Sequence, residues 1–277
     1  MRIVLGLEYD GSSFCGWQSQ PSGCSIQNAI ENALSKIAHS NIRVITAGRT
    51  DSGVHATYQV IHFDTEVERS HSAWVRGVNS LLPNSIAVLW AKKLSDRFHA
   101  RYSAKERYYL YLLLNHPVRA ALYHGKVGWF HLPLNLKRMR EASQFLLGEH
   151  DFSAFRAAEC QAKSPVRTLT KLDILKKGEI IIFDIRANGF LQHMVRNIIG
   201  SLVYVGKGSH DPQWIEKILK ERDRSIAAPT FSARGLYLSG ISYGLEWQLP
   251  SFVEPSFTSV LSRMPGINSF NSNKPGM

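Results

Sequence analysis

The sequence predicts an α+β fold made of two ferredoxin-like (RRM-like) βαββαβ halves with antiparallel sheets. Two observations carry this. Apolar residues switch repeatedly between a period of 2 and a period of 3.6, in the order β-α-β-β-α-β, and the same order returns after residue 103. The chain is also long enough, at 277 residues with 44% hydrophobic, to bury a sizeable core. The halves share no sequence identity, so one elongated α+β domain fits the pattern as well.

The first half opens with a strand over Arg2–Tyr9, where Ile3, Leu5, Leu7 and Tyr9 alternate onto one face. The turn-rich DGSSFCGWQSQPSG follows. Ser25 is placed to cap a helix whose stripe is Ile26, Ala29, Ile30, Ala33, Leu34 and Ile37. Ile42–Ala47 and Val54–Phe63 are β-prone. Ser72–Leu82 is helical until Pro83-Asn84 stops it, and Ile86–Leu94 is a strand. In the second half Arg107–Leu114 is a strand and Leu136–Leu147 a helix closed by Gly148 at C′. Val166–Leu175 and Ile180–Ile185 form a hairpin around Lys177-Gly178. Helices over Phe190–Val205 and Pro212–Glu221 lead to a last strand, Leu236–Tyr243. The expected units are residues 1–103 and 104–246. Residues 247–277, rich in Ser, Pro and Asn, read as a polar mobile tail, with a short RNA- or partner-binding arm as the alternative.

Thirty-three Lys and Arg against 22 Asp and Glu give a net charge of +11, which favours a polyanionic partner over an acidic membrane surface. The N-terminus reaches Glu8 and Asp10 too early for a secretory signal, and no apolar run is long enough to span a bilayer, so a cytoplasmic protein is expected. Cys15, Cys24 and Cys160 show no C-x-x-C pair; neither a zinc ribbon nor a disulfide framework is indicated, and idle thiols in a reducing compartment are expected. Eleven histidines show no metal-binding spacing. There is no Walker A and no G-x-G-x-x-G after a strand, so neither a metal nor a nucleotide cofactor is expected.

Three stretches carry candidate chemistry. In GRTDSGVHA, Gly48–Ala56, Asp51-Ser52-Gly53 is a turn in which Asp caps its own backbone and Gly supplies a positive φ. Arg49, two residues away, would keep the carboxylate ionised, as nucleophilic catalysis by Asp requires. His55 reads equally as a general base or a packing residue. In RFHARYSAKERYYLYLLLN, Arg97, Arg101, Lys105 and Arg107 interleave with Phe98, Tyr102, Tyr108, Tyr109 and Tyr111, a mixture that suits phosphates and unpaired bases. Alternation puts Arg107, Tyr109 and Tyr111 on one face and Tyr108, Leu110, Leu112 and Leu114 on the other. In NGFLQHMVRNIIG, Arg196 falls beside a buried helical stripe, either solvated or facing a buried carboxylate.

Together with YDGSSFCGWQ and GEHDFSAFR, and in the same order, these stretches resemble the tRNA pseudouridine synthase A family over nearly all of the chain before the tail. The resemblance implies two α/β halves meeting around a central catalytic cleft. It implies isomerisation of uridine to pseudouridine at positions 38, 39 and 40 of the tRNA anticodon stem-loop, by base flipping, without a cofactor or metal and in a homodimer. It further implies Asp51 as nucleophile, at either uracil C6 or ribose C1′, and Arg196 as the residue that pairs with and orients Asp51. Tyr109 would pack on the target base, and Arg49, with Arg107, would contact substrate. Without the resemblance, a non-catalytic two-RRM protein explains charge and element order but not the arginine–aspartate loop. A hydrolase using Asp51 and His55 lacks a second carboxylate or metal cluster.

Overall fold

The computed structural model describes residues 1–250, so the predicted tail lies, from residue 251 on, outside the described residues. The first half contributes β1 (Arg2–Tyr9), α1 (Ile26–Ala38), β2 (Ile45–Thr46), β3 (His55–Asp64) and β4 (Ile86–Leu94). The second contributes β5 (Ala104–Asn115), β6 (Gly128–Phe130), α2 (Leu136–Gln144), β7 (Gly148–Asp151), β8 (Val166–Lys177), β9 (Ile180–Ala187), α3 (Met194–Gly206), α4 (Trp214–Glu221) and β10 (Leu236–Tyr243). Ser25 caps α1 as expected, its hydroxyl accepting the Asn28 N–H at 3.1 Å. The helix expected over Ser72–Leu82 is centred on a π-helical segment, Ala73–Gly77, whose Trp74 is buried. Helix α3 starts at Met194 rather than at Phe190, because His193 adopts a left-handed φ of 62°. Gly148 does have a positive φ, but it opens β7 rather than capping α2, which ends at Gln144.

All ten strands of the described residues lie in one mixed, mostly antiparallel sheet, ordered β4-β1-β3-β10-β5-β9-β8-β7, with β2 added to β3 and β6 to β5. Two separate sheets were expected. Instead the final strand β10 pairs antiparallel with β5 and, in parallel, with the start of β3, through Tyr237–His55 and Leu238–Ala56. First-half strands run β4-β1-β3-β2 and second-half strands β10-β5-β9-β8, the same relative order.

The main core lies between sheet and helices and joins Leu5 and Val60 to Ile30 and Leu34 of α1, Met139 of α2, Ile198 and Leu202 of α3, and Ile218 of α4. Strand β5 runs through the middle. The predicted alternation holds: Tyr109, Tyr111 and Leu113 enter this core, whereas Leu110, Leu112 and Leu114 join a second cluster with Val127, Ile182 and Tyr237. Both faces of β5 are therefore covered, which is why Tyr108, Tyr109 and Tyr111 are all buried. Fully burying such side chains stabilises the fold by about 1.5–3 kcal/mol each.

Candidate active site

The connection from β2 to β3 contains Asp51. Val54 N–H donates to Asp51 C=O at 3.2 Å, and Gly53 has φ 79°, so the predicted turn is present. Its carboxylate is not used to cap that turn. It faces outward and accepts from Arg196 Nη1 at 2.9 Å, a partner 145 residues away. His193 Nε2 lies 3.5 Å from the same oxygen. Both charged partners are largely shielded, with Arg196 17% and Asp51 25% exposed, so the attraction is screened less than at an open surface.

Each end of the loop is fixed from outside. Thr50 is buried, with its hydroxyl 2.8 Å from Tyr9 OH and its carbonyl accepting Trp17 N–H at 2.9 Å. Gln59 Nε2 donates to Gly48 C=O at 2.7 Å, and Ser52 Oγ to Phe14 C=O at 3.1 Å. The first loop lies directly on the Asp51 turn. At Gly16, φ 98°, an added Cβ would sit 3.0–3.2 Å from Thr50 C=O, Ser52 N and Asp51 C, so any side chain there is strained and presses on the turn. That loop is cross-linked by a Cys15–Cys24 disulfide with Cα atoms 5.5 Å apart, which corrects the expectation of idle thiols. A hydrogen bond from Cys15 N–H to Cys24 C=O, 3.0 Å, folds the two cysteines together across the turn-rich segment, a contact that their spacing does not reveal.

Arg196 is held as firmly as its partner. It sits in the first turn of α3, and its Nε donates to Phe231 C=O at 2.9 Å while its own C=O accepts Phe231 N–H at 3.2 Å. Tyr109 lines the same cleft and packs edge-on against Phe190, centroids 5.0 Å apart. Burial first, and then the nearby Tyr9 and Asp51, push its phenol pKa up, which keeps it protonated.

The three candidate arginines differ in what they touch. Arg49 is exposed on the cleft wall and makes no ion pair with Asp51; the cation beside the carboxylate is Arg196, the partner the resemblance implies. Arg107 also borders the cleft, but its guanidinium donates to four backbone carbonyls, those of Ala47, Arg101, Ala104 and Asn188, at 2.6–3.2 Å. It ties the loop before Asp51 to β5 and to the segment after β9. His55 is buried, its Nε2 2.8 Å from Gly125 C=O and its Nδ1 3.1 Å from Asp10, away from the Asp51 carboxylate; the packing reading fits it. His193 was not singled out in the sequence. Its place three residues before Arg196, at the helix start, was the available signal.

The cleft has a volume of about 1180 Å³, above the roughly 300–1,000 Å³ of pockets that enclose one small ligand. Six Arg or Lys residues line it, against two carboxylates, Asp51 and Glu159. A wide cationic cleft around one oriented carboxylate defines the class: an enzyme that works on a polyanion such as nucleic acid. Residues 7–103 and 142–244 match the family described as tRNA pseudouridine synthase, and the chain belongs to that family. It is 56% identical over 252 residues to a tRNA pseudouridine synthase A of Nitrosomonas eutropha, covering 91% of both chains. It is likewise 56% identical to one from Methylobacillus flagellatus, covering 90% of this chain and 96% of that relative. A solved H/ACA RNP bound to a substrate RNA containing 2′-deoxyuridine aligns over 81% of this chain and 59% of that one, at 12% identity and a TM-score of 0.36, too distant a likeness to add to the assignment.

Proposed function

We propose that this chain isomerises uridine to pseudouridine in tRNA, at positions 38, 39 and 40 of the anticodon stem-loop, with Asp51 as nucleophile. The observation that carries the reading is the Asp51 carboxylate, presented by a rigid turn into a cationic cleft and held at 2.9 Å by Arg196. Asp51 attacks uracil C6 or ribose C1′; on either route the N1–C1′ bond breaks, the uracil turns, C5 bonds to C1′, the bond to Asp51 breaks and frees its carboxylate, and the proton lost from C5 is matched by one gained at N1. Atoms and charge balance without an added reactant. The glycosidic bond is reached only when the nucleotide leaves its stack, at a cost of a few kcal/mol that contacts in the cleft must offset. Tyr109 packs on the flipped base, Arg196 fixes the direction of the Asp51 oxygens, and Arg49 meets the backbone.

The finer organisation follows the same reading. Residues 1–103 and 104–246 act as two ferredoxin-like halves, and the Asp51–Arg196 pair joins one to the other. The same reading makes it a cytoplasmic enzyme that works as a homodimer on tRNA; no helix of the described residues is long and apolar enough to cross a membrane. Asp51→Asn keeps the shape of the turn and removes the nucleophile. We expect it to bind tRNA within about threefold of the native protein and to form no pseudouridine; isomerase activity in that variant overturns the role of Asp51.

A further inference from the structure

Of the five aromatic residues interleaved with cations between Arg97 and Tyr111, four are buried. Tyr102 is the exception, at 76% exposure, and it stands on the wall of the Asp51 cleft. Single exposed aromatics are common and need no explanation by themselves. This one, however, is fixed in place. Its ring stacks on His99, centroids 4.3 Å apart and planes 27° from parallel, and still remains 76% exposed. His99 Nδ1 accepts both the Arg101 and Tyr102 N–H groups at 3.2 Å. His99 N–H donates to Ser103 Oγ at 3.0 Å, and Ser103 N–H returns to His99 C=O at 2.9 Å. Arg107 closes the loop by donating to Arg101 C=O at 2.6 Å. Arg101 holds its guanidinium over the Tyr102 ring, 5.7 Å from its centroid, and the exposed Lys105 lines the same wall.

We propose that Tyr102 is a stacking platform for an unpaired nucleobase next to the target nucleotide, with Arg101 and Lys105 taking the adjoining phosphates. The proposal rests on the tRNA reading above and goes beyond it by adding a second base subsite. A largely exposed ring already braced by His99 loses little freedom when a base stacks on it, and flanking cations supply the phosphate contacts that a single ring lacks. A cleft larger than one nucleotide needs leaves room for a neighbour of the target. Tyr109, buried and packed on Phe190, serves a different base position.

The test measures binding of the full-length protein to an unmodified tRNA transcript and to transcripts with an abasic site at each unpaired anticodon-loop position in turn. Tyr102→Ala and Tyr102→Leu are expected to weaken binding about tenfold, equivalent to about 1.4 kcal/mol. Tyr102→Phe should bind as the native protein does, and all three should keep its melting temperature because the ring is exposed. At one loop position the abasic site should weaken native binding by a similar factor and leave Tyr102→Ala no weaker than before. Native affinity in Tyr102→Ala, an equal loss in Tyr102→Phe, or abasic effects that multiply with Tyr102→Ala at every position would each overturn the proposal. Pseudouridine formation by the native protein on the same transcript is scored separately: its absence sinks the functional reading, whereas its presence alongside unchanged Tyr102→Ala binding sinks only the platform.

Discussion

Replacing Arg196 with methionine removes a cation and keeps most of the side-chain volume. The perturbation is aimed at one oxygen, since Arg196 Nη1 is 2.9 Å from Asp51 Oδ2. At that separation, with an effective dielectric of about 20, the gross attraction is about 6 kcal/mol. Both groups retain some contact with water, at 17% and 25% exposure, and their desolvation cost offsets part of this gain. Roughly half, about 3 kcal/mol, is taken as lost orientation and charge stabilisation, which corresponds to about 100- to 200-fold in rate. The site for tRNA is otherwise unchanged, so Kd should move by less than about threefold. Tritium released from C5-labelled uridine in single-turnover reactions gives the chemical rate, and equilibrium binding gives Kd. A guanidinium salt supplied to an Arg196→Ala variant should restore part of the rate. Equal losses in rate and affinity would show that Arg196 is a phosphate contact and refute the orienting role.

Three further outcomes are expected. Arg107→Met strips donors from four carbonyls and should lower unfolding free energy by about 2–4 kcal/mol in urea titrations, whereas a loss below about 0.5 kcal/mol would contradict its clasp role. Gly16→Ala must take φ 98° and press on the Asp51 turn; a loss of at least about 1 kcal/mol in stability, with slower turnover, is expected, and a variant with native stability and turnover refutes the contact. Burial, and next Arg2 and His99, lower the buried His62 from 6.5 to about 4. The unfolded chain therefore binds its proton first: this contribution to stability is full above pH 6.5, falls as pH drops from 6.5 to about 4, and totals at most about 3 kcal/mol. Urea midpoints measured from pH 8 to 4 should show this slope, and His62→Gln should flatten it; an unchanged slope refutes the assignment.

Local signals made much of the fold legible. The alternation in β1 and the capped stripe of α1 gave those elements nearly residue for residue, and β10 was found with its observed bounds. Short strands such as β6 and β7, with three and four residues, carry too little pattern to be seen. The continuity of the sheet rests on two residue pairs, Tyr237–His55 and Leu238–Ala56, separated by about 180 positions, and no window of sequence reports such a contact. The same distance problem explains the site. Asp51 was legible because an acidic turn in a basic chain is locally odd. Local sequence offered only the neighbouring Arg49 as its partner; Arg196, 145 residues away, came from the family resemblance, and it is Arg196 that lies 2.9 Å from the carboxylate. Arg107 looked like a ligand for phosphate because sequence cannot tell a free guanidinium from one facing backbone carbonyls.

The place of β10 has a consequence for synthesis. A nascent chain folds from its N-terminus as it leaves the ribosome, yet the strand that joins β3 to β5 is the last of the ten to emerge. Until residue 243 is out, the earlier strands present two open sheet edges that would accept a foreign strand, and Asp51 and Arg196 lie on pieces not yet joined. The ion pair between Asp51 and Arg196 thus waits on β10, and a chain that stops short of that strand is expected to leave aggregation-prone edges exposed and the cleft unclosed.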